Sequence, residues 1–152
     1  MQGRKLLDES LALTRTVGDP TTLEFVLHSL ADCALDQEVH DEAARLYHES
    51  LDIAARTNAF RVIADCLGGL AAVEACRGRP ESAGRLWRAV RAFERESGYL
   101  PLAESERSRY ERALSDVPLL APATGAPWAD VLADAIDYAG SLRAQQPTAS
   151  SA

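Results

Sequence analysis

Residues 67–93 read LGGLAAVEACRGRPESAGRLWRAVRAF, two helical patterns folded about a Gly78-Arg79-Pro80 turn. Moved back by forty residues, the stretch lies over its own predecessor. Leu27, Leu30 and Ala31 fall on Leu67, Leu70 and Ala71; Ala43, Arg45, Leu46 and Tyr47 fall on Ala83, Arg85, Leu86 and Trp87. A second shift sets Lys5, Leu6 and Leu7 on Arg45, Leu46 and Tyr47. A fixed period in this range marks a stacked array, because each helix pair leaves an apolar face that only a neighbour covers. The sequence predicts an all-α chain, an α-solenoid of antiparallel helix hairpins.

Working outward, residues 4–17 carry Leu6, Leu7, Leu11 and Leu13 among polar neighbours and predict one amphipathic helix, closed by Gly18. Asp19-Pro20 opens the next, an N-cap side chain followed by proline at the first helical position. Helices are expected over 20–37 and 41–57, turning around Glu38-Val39-His40, and again over 60–77 and 80–97. Asn58 stands where Gly18 and Gly98 stand in the neighbouring repeats; these residue types tolerate the left-handed conformation that closes a helix. Tyr99-Leu100-Pro101 breaks the period. The charged helix expected over 102–115 has few apolar points, namely Leu102, Tyr110, Ala113 and Leu114, and reads as a capping element with one buried edge. Residues 1–116 are thus the repeats with their capping helix and 117–127 a loop rich in proline, alanine and glycine. A last helix over 128–143 carries Trp128, Val131, Leu132, Ile136 and Leu142, and 144–152 is expected to be a disordered tail.

The chain of 152 residues suits one domain with a real core. Its formal net charge of −7 argues against a general nucleic-acid or anionic-membrane binder, and no helix is basic enough to be a recognition helix. No apolar run approaches the ~18 residues of a membrane span. Cys33, Cys66 and Cys76 are odd in number, lack a CxxC, and sit in helical apolar patterns, which points to packed thiols in a reducing, cytoplasmic setting.

Site chemistry is sparse. His28, His40 and His48 have no HExxH spacing and read as partly exposed structural residues. Glu104-Glu106 and Asp134-Asp137 read as solvated surface, since an acid/base pair needs a pocket that separates two pKa values. There is no GxSxG elbow and no GxxxxGK[ST] phosphate loop. The expectation is a non-enzyme with no catalytic residue, cofactor or metal ligand.

Two surfaces are candidates for partner binding. Arg85, Arg88, Arg91 and Arg95 form a drifting stripe beside Trp87, Val90 and Phe93, fit for an acidic segment or a phosphate group; the alternative is a solvated face partly neutralised by Glu81 and Glu94. Glu24, His28 and Asp32 on one helix, facing Ala64, Gly68 and Ala72 on the next, would line a shallow groove whose small residues leave room for a partner.

Leu67, Leu70, Ala71, Gly78, Ala83, Trp87 and Val90 stand at the mutual offsets of the tetratricopeptide motif, which the chain resembles with a period longer than the usual ~34 residues. The longer form, with GRPESAGRLWRAVRAFERESGYLPLAESERSRYERAL closing it, is similar to the repeat region of large bacterial transcriptional regulators of the MalT, LuxR and AfsR type. The likeness runs to Asp116; beyond it, loop 117–127 replaces the family's usual continuation and Trp128-Ala129 keeps only an echo. The resemblance implies a protein-protein interaction module, a remnant or C-terminal fragment of such a regulator, whose partner is another protein or an upstream domain. The alternative it implies is an inducer-sensing domain for a small molecule. Since the first repeat starts at its second helix, an uncovered N-terminal helix face and self-association through it are also expected.

Overall fold

Asp19 accepts hydrogen bonds from the amides of Thr21 and Thr22 at 3.2 and 3.3 Å, and Pro20 supplies a helical φ at no cost in lost donors. That cap opens the second of seven helices among the described residues. The computed structural model describes residues 2–98, 104–118 and 126–145. The helices are α1 (Gln2–Val17), α2 (Pro20–Asp36), α3 (His40–Thr57), α4 (Phe60–Cys76), α5 (Pro80–Ser97), α6 (Glu104–Ala113) and α7 (Trp128–Ala144). The expected helices 20–37, 41–57, 60–77 and 80–97 therefore lie within a residue of those found. Ala144 closes α7, and the rest of the expected tail, from 146, falls outside the described residues, as do 102–103 of the expected capping helix.

The forty-residue interval recurs in the backbone. α2 and α4 start and stop forty residues apart, and so do α3 and α5. Left-handed residues follow α1 to α5 at twenty-residue spacing: Gly18 (φ 76°), Glu38 (60°), Asn58 (54°), Gly78 (72°) and Gly98 (67°). After α2, the Glu38 amide donates to the Leu35 carbonyl at 3.0 Å and the Val39 amide to Ala34 at 2.9 Å. After α4, Gly78 and Arg79 donate to Ala75 and Glu74 in the same way, both at 2.9 Å. These bonds satisfy carbonyls that a helix end would otherwise orphan. Glu38 carries a side chain where its counterpart has none, a strain of about 1 kcal/mol.

Consecutive helices from α2 to α5 pack on one another and bury one continuous core. Leu27, Leu30 and Ala31 are buried, as are their counterparts Leu67, Leu70 and Ala71. Tyr47 of α3 and Trp87 of α5 fill equivalent places. The Tyr47 ring lies flat on Gly69, where any added Cβ would sit 2.3 Å from its Cζ. Glycine inside a helix costs about 1 kcal/mol relative to alanine, so the Gly68-Gly69 pair weakens α4 locally. Burying an aromatic ring of this size against it gains more than that.

α1 lies against α2, and its Arg4 and Arg15 reach α3 at Glu42 (2.5 Å) and Glu49 (2.8 Å). Only Leu7 and Leu11 of its leucines pack against the core. Leu6 and Leu13 are exposed: with α2 as the helix that α1 lies on, one stripe of the expected amphipathic helix is covered and the next is not. α7 lies mainly on α5. Its Trp128 packs edge-on against Phe60 and Phe93, each with ring centroids 5.1 Å apart, and Tyr138 bonds Ser82 at 2.9 Å. No helix among the described residues is long and apolar enough to cross a membrane.

Candidate functional site

The face expected to carry Glu24, His28 and Asp32 opposite Ala64, Gly68 and Ala72 is partly filled by the chain itself. α6 packs on α4, and its Tyr110 is fully buried over Gly68, with Cδ2 3.0 Å from the place of an added Cβ. The room left by small residues is therefore occupied by a tyrosine from a helix outside the repeat. Ala64 and Ala72 are buried as well.

Around Tyr110 the polar groups close on one another. Its hydroxyl donates to Asp32 Oδ1 at 2.8 Å, and Tyr47 donates to the same oxygen at 2.5 Å. Arg109 donates to Asp32 Oδ2 at 2.8 Å and holds both oxygens of Asp36, at 2.8 and 3.0 Å. With the Tyr110 proton committed to Asp32, His28 Nε2, 3.1 Å from the Tyr110 oxygen, must be the donor of that contact. Burial, and the Asp32 carboxylate with it, raises the pKa values of both tyrosines well above the ordinary range, so both stay protonated donors. Against the cost of its burial, the Asp36 hydrogen bonds and the charge of Asp32 raise the pKa of Arg109. This network fastens α6 to α2 and α3. Arg107 adds an ion pair with Glu94 of α5.

Toward the N-terminal end of α2 a cleft of about 370 Å³ stays open, lined by Glu24, Phe25, His28, Arg61, Asp65 and Glu106, among others. Glu24 is buried, and that burial raises its pKa, although its Oε2 accepts from the Thr57 hydroxyl at 3.2 Å. Asp65 is 7% exposed and its Oδ1 has no hydrogen-bond partner among the described residues. Its Oδ2 lies 4.0 Å from Nε of Arg61, whose side chain is largely in solvent. Burial first, then the neighbouring Glu106 carboxylate, pushes the Asp65 pKa up to about 8. Ligand atoms of His28, Asp32 and Glu106 lie within 4.8 Å of one another, close enough to share a cation. Both oxygens of Asp32, however, are already taken by Tyr47, Tyr110 and Arg109.

The arginines of the stripe have different surroundings. Arg85 stacks over the Tyr138 ring, 3.8 Å from its centroid, and with Arg88 borders a second cleft of about 920 Å³ between α5 and α7. Arg91 pairs with Glu94 at 3.0 Å and Arg95 with Glu96 at 3.1 Å, which draws them into local ion pairs. Other expectations also shift. His28 and His48 are buried where partly exposed histidines are expected, and Cys76 is exposed where a packed thiol is expected. Burial, with a second contribution from the Arg143 charge, pushes the His48 pKa down to about 4. Cys66 is an inert thiol: burial raises its pKa, and it donates to Ser50 at 3.3 Å.

Asp65, Glu106, Arg109 and Tyr110 have no part in the site as read from sequence. Asp65 does carry a signal, being the only charged residue in 62–73. Comparison with family models, with curated proteins and with solved structures finds no match for this chain.

Proposed function

We propose that this chain is a tetratricopeptide-like α-solenoid that works by binding and performs no catalysis, and that it is the interaction region of a LuxR/AfsR-type transcriptional regulator. The observation that carries the architecture is the run of left-handed residues at 18, 38, 58, 78 and 98, with α2/α3 and α4/α5 repeating at forty. Strictly repeated helix pairs are the usual scaffold of an extended binding face. A non-catalytic reading is supported by the use made of the polar interior: Asp32, Tyr47, Tyr110 and Arg109 hold helices together, and Cys66 is buried as a thiol. The partner is a cytoplasmic protein or an upstream domain of the same regulator. A second reading, an inducer-sensing domain of the MalT kind, is favoured by one feature, the open cleft between α2, α4 and α6.

The test begins with an antibody against α6 and α7, applied to the cells that make the protein. A band near 16.4 kDa, the mass of this chain, supports a free-standing module, and a band several times larger supports the regulator fragment. Immunoprecipitation at that size should then retain a defined protein partner, or bring down the DNA-binding domain on the same polypeptide. Turnover of a substrate by the purified chain would overturn the proposal, and so would isolation at 16.4 kDa with no partner.

A further inference from the structure

We infer that the cleft between α2, α4 and α6 binds an organic cation, a primary ammonium or a guanidinium group carried on a short apolar stem. The inference deepens the reading of the chain as a binding module and rests on it.

Three acidic side chains from three helices, Glu24, Asp65 and Glu106, border one cleft of about 370 Å³. Acidic clusters on a protein surface are common, so the weight falls on Asp65. It is 7% exposed, in α4, in an otherwise uncharged stretch, and its Oδ1 accepts no hydrogen bond from the described residues. A buried carboxylate oxygen without a donor is costly and rarely left so in a native interior. The nearest cation, Arg61, stands 4.0 Å from the other oxygen, with its side chain 59% exposed, and neutralises little. A cation arriving from outside supplies that donor, and its charge favours the ionised form of Asp65 over the protonated one that burial and Glu106 prefer.

The donor set favours an organic cation over a bare metal ion. Of the group His28, Asp32 and Glu106, Asp32 has both oxygens engaged by Tyr47, Tyr110 and Arg109, and His28 Nε2 is turned to Tyr110. A metal would have to displace an arginine from its carboxylate. An ammonium or guanidinium needs only acceptors, and supplies three or five N–H donors to carboxylates that face the cleft. The same cleft is bordered by Val62 and by Phe25, a residue 64% exposed, so apolar and aromatic surface is available to the ligand. The volume is at the lower end for small-molecule sites and suits a group of lysine or arginine size.

That chemistry has two sources, a basic side chain of a partner protein and a free amine. Isothermal titration of the purified chain at physiological salt separates them, with agmatine and cadaverine as free amines and N-acetyl-arginine amide as the side-chain probe. The uncharged citrulline analogue is the control. Saturable one-to-one binding is expected for at least one cation and not for the citrulline analogue. Asp65→Asn and Glu106→Gln should each weaken it tenfold or more, while Asp134→Asn, an exposed carboxylate on α7, should leave it unchanged. Tighter binding of agmatine or cadaverine assigns the site to a free amine, and tighter binding of the blocked arginine assigns it to a partner's side chain.

The inference is overturned if no cation saturates, if Asp134→Asn weakens binding as much as Asp65→Asn does, or if Zn²⁺ binds while the organic cations do not. Thermal melts of Asp65→Asn separate loss of the site from loss of the fold. Should the chain retain its partner in cells while no cation binds, the cleft assignment fails and the module reading stands. Cation binding by a chain that isolates without partner would leave the cleft and remove the module.

Discussion

Asp65→Asn should make this protein more stable, and by an amount that depends on pH in a defined direction. Asp65 is buried in α4, near Glu106 of α6 and Asp32, Glu24 and His28 of α2, and the opposite charge that acts on it among the described residues is the exposed Arg61. Its pKa rises from an ordinary 3.8 to about 8, burial being the larger cause. A raised folded pKa means that the native state holds the proton more tightly than the unfolded chain does. The associated stability is complete below pH 3.8 and is lost as pH rises toward 8, after which nothing further changes. Each pKa unit corresponds to about 1.4 kcal/mol, so by pH 7 the loss is on the order of 4 kcal/mol. Asparagine fills the same volume without a charge. Urea unfolding at a series of pH values should show the two proteins alike near pH 4, and the variant ahead by several kcal/mol at pH 8.5. The difference is the quantity to plot, because other titrating groups are common to both proteins and cancel. A difference that does not grow with pH, or a variant less stable than the parent at pH 8.5, would refute the placement of Asp65 as a buried and unpaired carboxyl.

Four further outcomes are expected. Gly69→Ala should abolish or severely impair folding, because its Cβ would fall 2.3 Å from the Tyr47 ring; Gly140→Ala on α7, with nothing within 4 Å, should gain up to about 1 kcal/mol in the same thermal melts. Tyr110→Phe keeps the ring over Gly68 and removes its hydroxyl from Asp32 and His28, for a loss of about 1–3 kcal/mol by denaturant unfolding. His48, with its pKa depressed from 6.5 to about 4, is neutral in the native state; stability should fall as pH drops from 6.5 to 4, by up to ~3 kcal/mol, and His48→Gln should flatten that limb. Glu38→Gly relieves a left-handed backbone (φ 60°) and should raise stability by up to about 1 kcal/mol, while Gly78→Ala at the equivalent turn should lower it.

The helices were legible because their signals are local. Asp19-Pro20 and the residues at 18, 58, 78 and 98 punctuate the chain by their own backbone preferences, so boundaries emerged within a residue or so. Glu38 gives no such signal, because glutamate has no preference for the left-handed region; its position midway between Gly18 and Asn58 is what announces it. The arginine stripe was a sound helical spacing, yet Glu94 and Glu96 intervene on the same helix, and the ring of Tyr138 comes from α7. Side-chain pairing of that kind depends on which helix lies across the face, and that is not encoded in the spacing of the face itself.

The cleft was harder to foresee, for a reason the repeat makes plain. On α2 the inward positions carry Glu24, His28 and Asp32; forty residues on, α4 carries Ala64, Gly68 and Ala72. A perfect repeat would set polar on polar or small on small, and would have no use for a helix between them. The mismatch makes space on the α4 side and unpaired polar groups on the α2 side, and a single helix can answer both. α6 does so with adjacent residues: Tyr110 fills the space over Gly68, while Tyr110 and Arg109 together satisfy Asp32. Those two residues lie in a helix that reads as charged surface, since only one of its faces meets the protein. The same helix stops short of completing Asp65, and brings Glu106 toward it where a basic residue would have paired it. One end of the mismatch is thus closed by the chain, and the other is left acidic and open, which is where an external cation has something to bind.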